Sequence, residues 1–514
     1  MKRRYIISLI LAITAGSCKK SFIDLAPLDS LSPSTFFQTE AQLRQAVTAA
    51  YVPLRDLENN DYFLCEMRSD DTHYQTYASN RGTAYVQREN ISDWVDDPTN
   101  SYTNSEYFAC YTGISRANIV IGKIGDVTLT AAAKNDIDGQ AKFLRAFNYF
   151  KLVRIFGAVP LYLKEVDKAE DAFLPRSTTD QVYAQIVLDA TDAMNELAAP
   201  AKFPQTGQAT KGSATMLLAD VYMTQKKYVE AEGLLTTLSA MGYGLNANYG
   251  DAFLTTNKNS KESLFEVQYL EGTAAGTQPS NFIYQFLPRT STTTVITGTA
   301  TNTSTIGGWN TPTQDLIGSY EAGDKRLDAS IAVAEGAYNA SDLLAITANK
   351  SIVGYTPAAG KTGVPYPKKY LHTPHVATNN TNDDWPIYRY SDALLLLAEA
   401  QNEQGKPGPA LINLNLVRAR AGLAASTETN QANLRVVLAH ERRIELAFEN
   451  HRWHDLVRTG TAIPVMTAYG IKAKATYNFL PSNAFTITND RLLFPIPQSE
   501  RETNPALTQN TGYF

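Results

Sequence analysis

The sequence predicts a mainly α fold: tetratricopeptide-type helix pairs joined by long loops, with minor β-structure. The blocks Gln42 to Leu57, Ser105 to Ile124, Ala131 to Ile155, Thr179 to Leu197, Gly212 to Leu238, Ser391 to Ala421 and Asn433 to Arg458 all carry apolar residues at three- and four-residue spacing, the signature of amphipathic helices. Two of these blocks repeat one pattern. Leu218, Ala219 and Tyr222 are followed by Tyr228, Ala231 and Leu235, and at matching separations Leu397 and Ala398 are followed by Ala410 and Leu414. Small residues at those positions let antiparallel helices approach closely, as in tetratricopeptide pairs, although generic helical hairpins would share the pattern. Between the blocks lie Glu58 to Asn104, Tyr243 to Ser319 and Tyr338 to Asp384, rich in Gly, Thr, Asn and Pro and much longer than ordinary connections. Ser263 to Leu270 and Leu492 to Ile496 are β-prone and predict small sheets at most.

Taken in chain order, residues 1–17 read as an export signal. Lys2, Arg3 and Arg4 precede an apolar stretch from Tyr5 to Ile13, and Ala15-Gly16-Ser17 leads into Cys18. The stretch falls short of the roughly 18 apolar residues of a membrane span. This arrangement predicts cleavage before Cys18 and acylation of that cysteine, each buried methylene adding about 0.8 kcal/mol of membrane affinity. Lys19 and Lys20 follow where an acidic run would signal surface export. Two regions then follow, 18–240 and 241–514, expected to pack as one unit.

With Lys+Arg 46 against Asp+Glu 51 the net charge is −5, which leaves no basic field for a nucleic-acid backbone. Cys65 and Cys110 can pair in an oxidising envelope only if the fold brings their Cα atoms within reach. The compositional outlier is aromatic: 28 Tyr, 20 Phe and 4 Trp. Many sit in polar stretches, where ring faces with polar tips suit wet recognition of sugars or peptides.

Catalytic motifs are near misses. His440-Glu441-Arg442-Arg443-Ile444 opens like a zincin helix, but Ile444 stands where the second histidine belongs. His451 and His454 share a helix face without a third ligand, and His73, His372 and His375 form no triad signature. Gly360-Lys361-Thr362 ends like a phosphate loop whose leading glycine is replaced by Tyr355. Asp70 with Asp71 and Asp383 with Asp384 are adjacent carboxylates in loops, weak evidence for the spaced acid pair of a glycosidase. No enzyme activity, cofactor or metal is expected.

Ordered blocks across the chain resemble the SusD/RagB family of outer-membrane nutrient-binding lipoproteins. They are Cys18-Lys19-Lys20 leading to Phe22-Ile23-Asp24-Leu25; Ile114-Ser115-Arg116-Ala117-Asn118; Ala141 to Ala146 through Tyr149-Phe150 to Phe156-Gly157-Ala158-Val159-Pro160-Leu161; Ile387 to Leu396 with Ala398-Glu399-Ala400; Glu441-Arg442-Arg443 to Glu445 and Glu449; Arg452 with Asp455 to Arg458; and Leu493 to Pro497 with Asn504-Pro505. Tyr107 departs from the family pattern, where tryptophan is frequent. Arg389, Asp392, Glu399, Glu441, Arg442, Arg443 and Glu445 are charges among apolar neighbours and are expected to pair as scaffold.

The resemblance implies a non-enzymatic, lipid-anchored lid on a SusC-like TonB-dependent transporter, holding a glycan or oligosaccharide, or in some relatives a peptide. An envelope glycosidase is the more distant alternative. The expected ligand face comprises Tyr74, Tyr77, Trp94 and Asn100 in the first long loop and Trp309 in a stretch, 290–314, without a charged side chain. Trp385 and Trp453 are expected to be structural.

Overall fold

The computed structural model describes residues 36–76 and 82–513; the signal segment, Cys18 and Tyr77 lie outside them. The N-terminal helices are α1 (Glu40–Tyr51), α2 (Pro53–Leu64), α3 (Thr83–Ser92), α4 (Ser101–Lys123), α5 (Ala131–Phe156), α6 (Thr179–Glu196), α7 (Lys211–Thr224) and α8 (Tyr228–Leu235). The C-terminal ones are α9 (Tyr390–Glu403), α10 (Pro407–Ala421), α11 (Gln431–Glu445), α12 (Arg452–Arg458) and α13 (Ala462–Thr476), with shorter turns between. Hydroxyl and amide caps start them: Thr39 and Gln42 form a capping box on α1, Thr178 and Gln181 another on α6, and Asn430 accepts from the first amides of α11.

Each long helix packs on the next, from α4 through α5, α6, α7 and α8 to α9, α10 and α11. The stack is close because small residues sit at the contacts. Ala219, Ala231, Ala398 and Ala410 are fully buried, and a Cβ on Gly113 of α4 would come within 2.6 Å of the Asn148 amide of α5. The repeat seen in the sequence is therefore two real helix pairs, α7–α8 and α9–α10, with α8 lying against α9. Leu394, Leu395, Leu414 and Val417 of the second pair pack with Leu434 and Leu438 of α11, where truncating one leucine costs about 2–5 kcal/mol. Among the described residues no helix is long and apolar enough to cross a membrane.

The strands are few. β1 (Thr72–His73) pairs with β3 (Thr311–Pro312), and β2 (Ser263–Val267) with β7 (Trp385–Arg389). β4 (Ile331–Tyr338), β5 (Leu344–Ser351) and β6 (Thr362–Pro367) form an antiparallel sheet in the order β5-β4-β6 over a separate small core containing Tyr284, Leu344 and Tyr366.

Two expectations are corrected. Leu492 to Ile496 is not a strand: the Phe494 amide donates to the Ile155 carbonyl at 2.8 Å and the Ile496 amide to the Gln509 side chain at 2.8 Å, so a helix end and an amide replace a partner strand. Glu58 to Asn104 is not one long loop, because α2 continues to Leu64 and α3 forms inside it. Cys65 and Cys110 are buried and free, so they do not pair.

The charged scaffold residues do pair. Arg389 bonds Glu262 at 2.9 Å, Glu445 at 2.9 Å and Glu449 at 2.6 Å, while Arg442 meets Asp392 at 2.7 Å and Arg443 meets Asp71 at 2.6 Å. Glu441, the acid of the near-zincin motif, lies 2.6 Å from Arg326 and 2.9 Å from Arg418. Burial alone would raise the Glu445 carboxyl, but the guanidinium groups of Arg420, Arg389 and Arg326 pull it far below its ordinary value.

Candidate functional site

The β1–β3 pair matters more than its length suggests, because it ties the first long stretch to the second. Thr72 faces Pro312 and His73 faces Thr311; beyond them the Gln75 amide donates to the Gly308 carbonyl at 2.8 Å. Gly308 takes φ +85, and a Cβ there would lie 3.3 Å from both Arg289 and Gln75, so glycine permits this approach. Tyr74 and Trp309, far apart in sequence, are thereby brought to a ring-centroid distance of 6.3 Å.

Four of the five expected ligand residues are described, and all four are interior: Tyr74 is 3% exposed, Trp94 2%, Asn100 2% and Trp309 0%. Their environments explain why. Trp94 lies under the Arg68 guanidinium at 3.9 Å, meets Trp453 edge-on at 5.2 Å, and is held at φ +65. Asn100 caps α4, accepting from the Tyr102 amide at 3.0 Å and donating to the Gln87 carbonyl at 2.7 Å. Trp94 and Asn100 are thus both held inside the framework, one by ring contacts and one as a helix cap. The Tyr74 hydroxyl donates to Asp93 at 2.7 Å, and its ring stacks on His73 at 4.3 Å. Trp385 and Trp453 are fully buried, as expected of structural residues.

Tyr74 and Trp309 instead form the back wall of a recess whose open side carries residues the sequence reading passed over. Tyr85, on the first turn of α3, stacks nearly parallel on Trp309 at 5.9 Å and 22°, and its hydroxyl donates to the Thr305 carbonyl at 2.7 Å. One turn on, the Arg88 guanidinium lies 4.8 Å from the Tyr102 ring, 5.0 Å from Trp309 and 5.3 Å from Phe63. Arg289 covers Tyr85 at 4.9 Å and Trp309 at 5.5 Å. Tyr85, Arg88 and Tyr102 are half-buried, so each keeps solvent access. Burial raises the Tyr102 phenol, an effect the neighbouring Arg88 opposes. Behind the wall, the amide oxygen and nitrogen of Asn310 and the indole nitrogen of Trp309 are buried with no protein hydrogen-bond partner. Towards solvent the cluster presents the half-buried Tyr85, Arg88 and Tyr102 side chains; among the described residues no His, Cys, Asp and Glu cluster there could hold a metal.

A different recess, of about 600 Å³, runs along α4 and includes Phe108, Tyr111, Tyr162, Val166 and Phe173. Several of its polar atoms are already used: Tyr111 donates to the Pro160 carbonyl at 2.8 Å, Tyr162 to Ala172 at 2.6 Å and Asn118 to Tyr162 at 2.8 Å. It presents mostly apolar surface, with Ser115, Lys164 and Glu500 among its polar positions.

A stack of helix pairs that carries an aromatic recess on its loops, with the scaffold arginines locked in ion pairs, defines a helical-repeat binding scaffold as the class. The chain belongs to the SusD family, whose model matches residues 239–513, and a model described as starch-binding associating with outer membrane matches residues 21–223. It is 26% identical over 562 residues to the SusD-like protein P25 of Formosa agariphila, covering 99% of each chain. It is 23% identical over 414 residues to the starch-binding protein SusD of Bacteroides thetaiotaomicron, covering 73% of this chain and 72% of that one. A solved laminarin binding SusD-like protein superposes with a TM-score of 0.73 at 26% identity, covering 93% of this chain and 100% of its own.

Proposed function

We propose that this chain is a surface lipoprotein that captures a glycan or oligosaccharide and passes it to a SusC-like TonB-dependent transporter of the outer membrane, acting by binding alone. The observation that carries this reading is the aromatic cluster in which half-buried Tyr85, Tyr102 and Arg88 reach solvent over buried Trp309 and Tyr74. Sugar rings stack on such faces while their hydroxyls meet fixed polar groups at the edge. Family membership supports the reading, as does the laminarin named for the relative at 26% identity. The anchor at Cys18 and the transporter partner belong to the same proposal and rest on the sequence resemblance.

The test is affinity electrophoresis and calorimetry of the protein begun just after Cys18, against neutral glycans such as laminarin and starch, acidic glycans and peptides. Tyr85→Ala and Tyr102→Ala are each expected to weaken glycan binding about tenfold, since an aromatic stack contributes roughly 0.5–1.5 kcal/mol beyond its buried area. Unchanged binding in both variants would sink the site assignment. Retention of a peptide and of no glycan would replace the ligand class.

A further inference from the structure

Resting on the proposed glycan site, a further step concerns what holds its two halves together. Helix α3 brings Tyr85 and Arg88, and the β1–β3 region brings Tyr74 and Trp309. Asp93 belongs to both. Its backbone ends α3, where the N–H donates to the Glu89 carbonyl at 2.8 Å, and its own carbonyl accepts from the Phe485 amide at 2.8 Å. The carboxylate takes no part in that helix end. Oδ2 accepts from the Tyr74 hydroxyl at 2.7 Å, and Oδ1 lies 3.4 Å from His73 Nε2.

The partners of this acid set it apart from its neighbours. Asp96 is answered by Arg68 at 2.6 Å, Asp71 by Arg443 at 2.6 Å and Asp70 by Arg452 at 2.8 Å. Asp93 is 3% exposed, yet among the described residues no Lys or Arg lies within ion-pair distance of its carboxylate, which meets a tyrosine of the site wall and the histidine stacked on that tyrosine. His73 is itself clamped between Tyr74 at 4.3 Å and Tyr477 at 4.4 Å, with interplanar angles of 23° and 11°. The Tyr74 ring is therefore held at its hydroxyl and on its face. It meets Trp309 at 6.3 Å, and Trp309 carries the half-buried Tyr85 ring at 5.9 Å. A phenol donating to a carboxylate makes a charge-assisted bond, stronger than a neutral one, and a site keeps its geometry only where such supports lock its rings.

We propose that Asp93 is a positioning residue of the glycan site: through the Tyr74 hydroxyl it holds the Tyr74 and Trp309 rings that support Tyr85, and so sets the face that Tyr85 offers to a sugar. Asp93 acts through these three rings and does not itself touch the ligand.

Calorimetry on the protein begun just after Cys18 would use laminarin, starch and polygalacturonate as probes. Fluorine NMR of the fluorotryptophan-labelled protein would follow Trp309 without ligand, its resonance assigned by its loss in Trp309→Phe. Asp93→Ala is expected to weaken binding of the retained glycan about tenfold and to move the Trp309 resonance. Asp93→Asn keeps an acceptor oxygen for the Tyr74 hydroxyl and should stay within about threefold of the parent. Tyr74→Phe removes the donor and keeps the ring; its loss should resemble that of Asp93→Ala, and the double variant should bind no more weakly than Asp93→Ala alone, the coupling expected of one shared bond. Tyr74→Phe also carries the test should Asp93→Ala fail to fold. Affinity within about twofold of the parent in Asp93→Ala or in Tyr74→Phe, or losses that simply add in the double variant, would overturn the positioning role and leave the capture role standing. Binding of no glycan by the parent protein would overturn both.

Discussion

Arg389 and Arg88 are both guanidinium groups laid against aromatic rings, and they differ in everything else they touch. Arg389 lies 5.2 Å from the Phe253 ring and 5.7 Å from Tyr249, and it also bonds Glu262, Glu445 and Glu449. Arg88 has the rings and the phenol but, among the described residues, no carboxylate within ion-pair distance. A fully buried charge left unpaired costs several kcal/mol, so the scaffold must answer each of its arginines with acids. Arg88 escapes that requirement because it is half-buried and keeps water on one side. The contrast separates two uses of one residue type: the paired arginine fixes the fold, and the other lies at the solvent edge of the proposed site.

The hardest test of that contrast removes a single acid from the hub. Glu445 serves Arg326, Arg389 and Arg420 at once, so Glu445→Ala leaves three buried guanidinium groups short of a partner. The expected loss is about 3–5 kcal/mol in denaturant titrations, enough to make the variant hard to purify. Arg88→Gln should stay within about 1 kcal/mol of the parent, because no buried partner is stranded. Similar losses in the two variants would erase the distinction.

A smaller effect concerns pH. Burial pushes the Glu58 carboxyl up to about 8, against the pull of Lys151, and burial likewise holds Glu66 and Glu266 at about 8. A carboxyl raised in the folded state keeps a proton that the unfolded chain releases. Its contribution is therefore complete below the ordinary carboxylate range and is lost as pH rises toward 8, at up to about 1.4 kcal/mol per pH unit for each group. Glu445 and Asp455 act oppositely, since arginines overcome their burial and depress them; their contribution is present at neutral pH and lost in acid. Stability should peak in mildly acidic solution. Glu58→Gln, which mimics the protonated form, should flatten the decline between pH 5.5 and 7.5 measured by denaturant unfolding. An unchanged slope would mean that Glu58 is ionised beside Lys151 throughout.

What was legible in the sequence follows the same division. The helix pairs were readable because Ala219, Ala231, Ala398 and Ala410 recur at spacings that suit close helix contacts. The ionic hub was readable because charges embedded in apolar blocks have to pair. The recess was not, for a local reason. Residues 83–92 lie in a polar stretch between loops and read as loop, yet they contain neither Gly nor Pro, and Tyr85 and Arg88 stand one helical turn apart. Trp94 and Asn100 drew attention by residue type, but type does not reveal that the Trp94 ring is covered by Arg68 or that the Asn100 amide is needed as a cap. The β4–β6 sheet was missed although its hairpin turn is signalled by Asn339, whose side chain accepts from the Ser341 and Leu343 amides. Pairing across 72–73 and 311–312 depends on contacts far apart in the chain, and no local pattern encodes it.

The smallest expected effect belongs to the recess along α4, and it tests whether volume or chemistry marks a sugar site. That recess encloses about 600 Å³ and exposes Phe108 at 66% and Phe173 at 46%, so by size and aromatic content it competes with the one at Trp309. Most of its hydroxyls and amides, however, are committed to backbone carbonyls, among them Tyr111 to Pro160, Tyr162 to Ala172 and Asn504 to Leu174. A sugar entering it would give up hydrogen bonds to water and find few in return, at a cost of about 1–3 kcal/mol for each polar group left unpaired. Phe108→Ser and Phe173→Ser should therefore leave glycan affinity within about twofold of the parent, with Tm unchanged, because both side chains are largely solvated already. Loss of glycan binding in either variant, with the fold intact, would move the site from the Tyr85, Arg88 and Tyr102 recess to α4, and the unpaired guanidinium would then need another explanation.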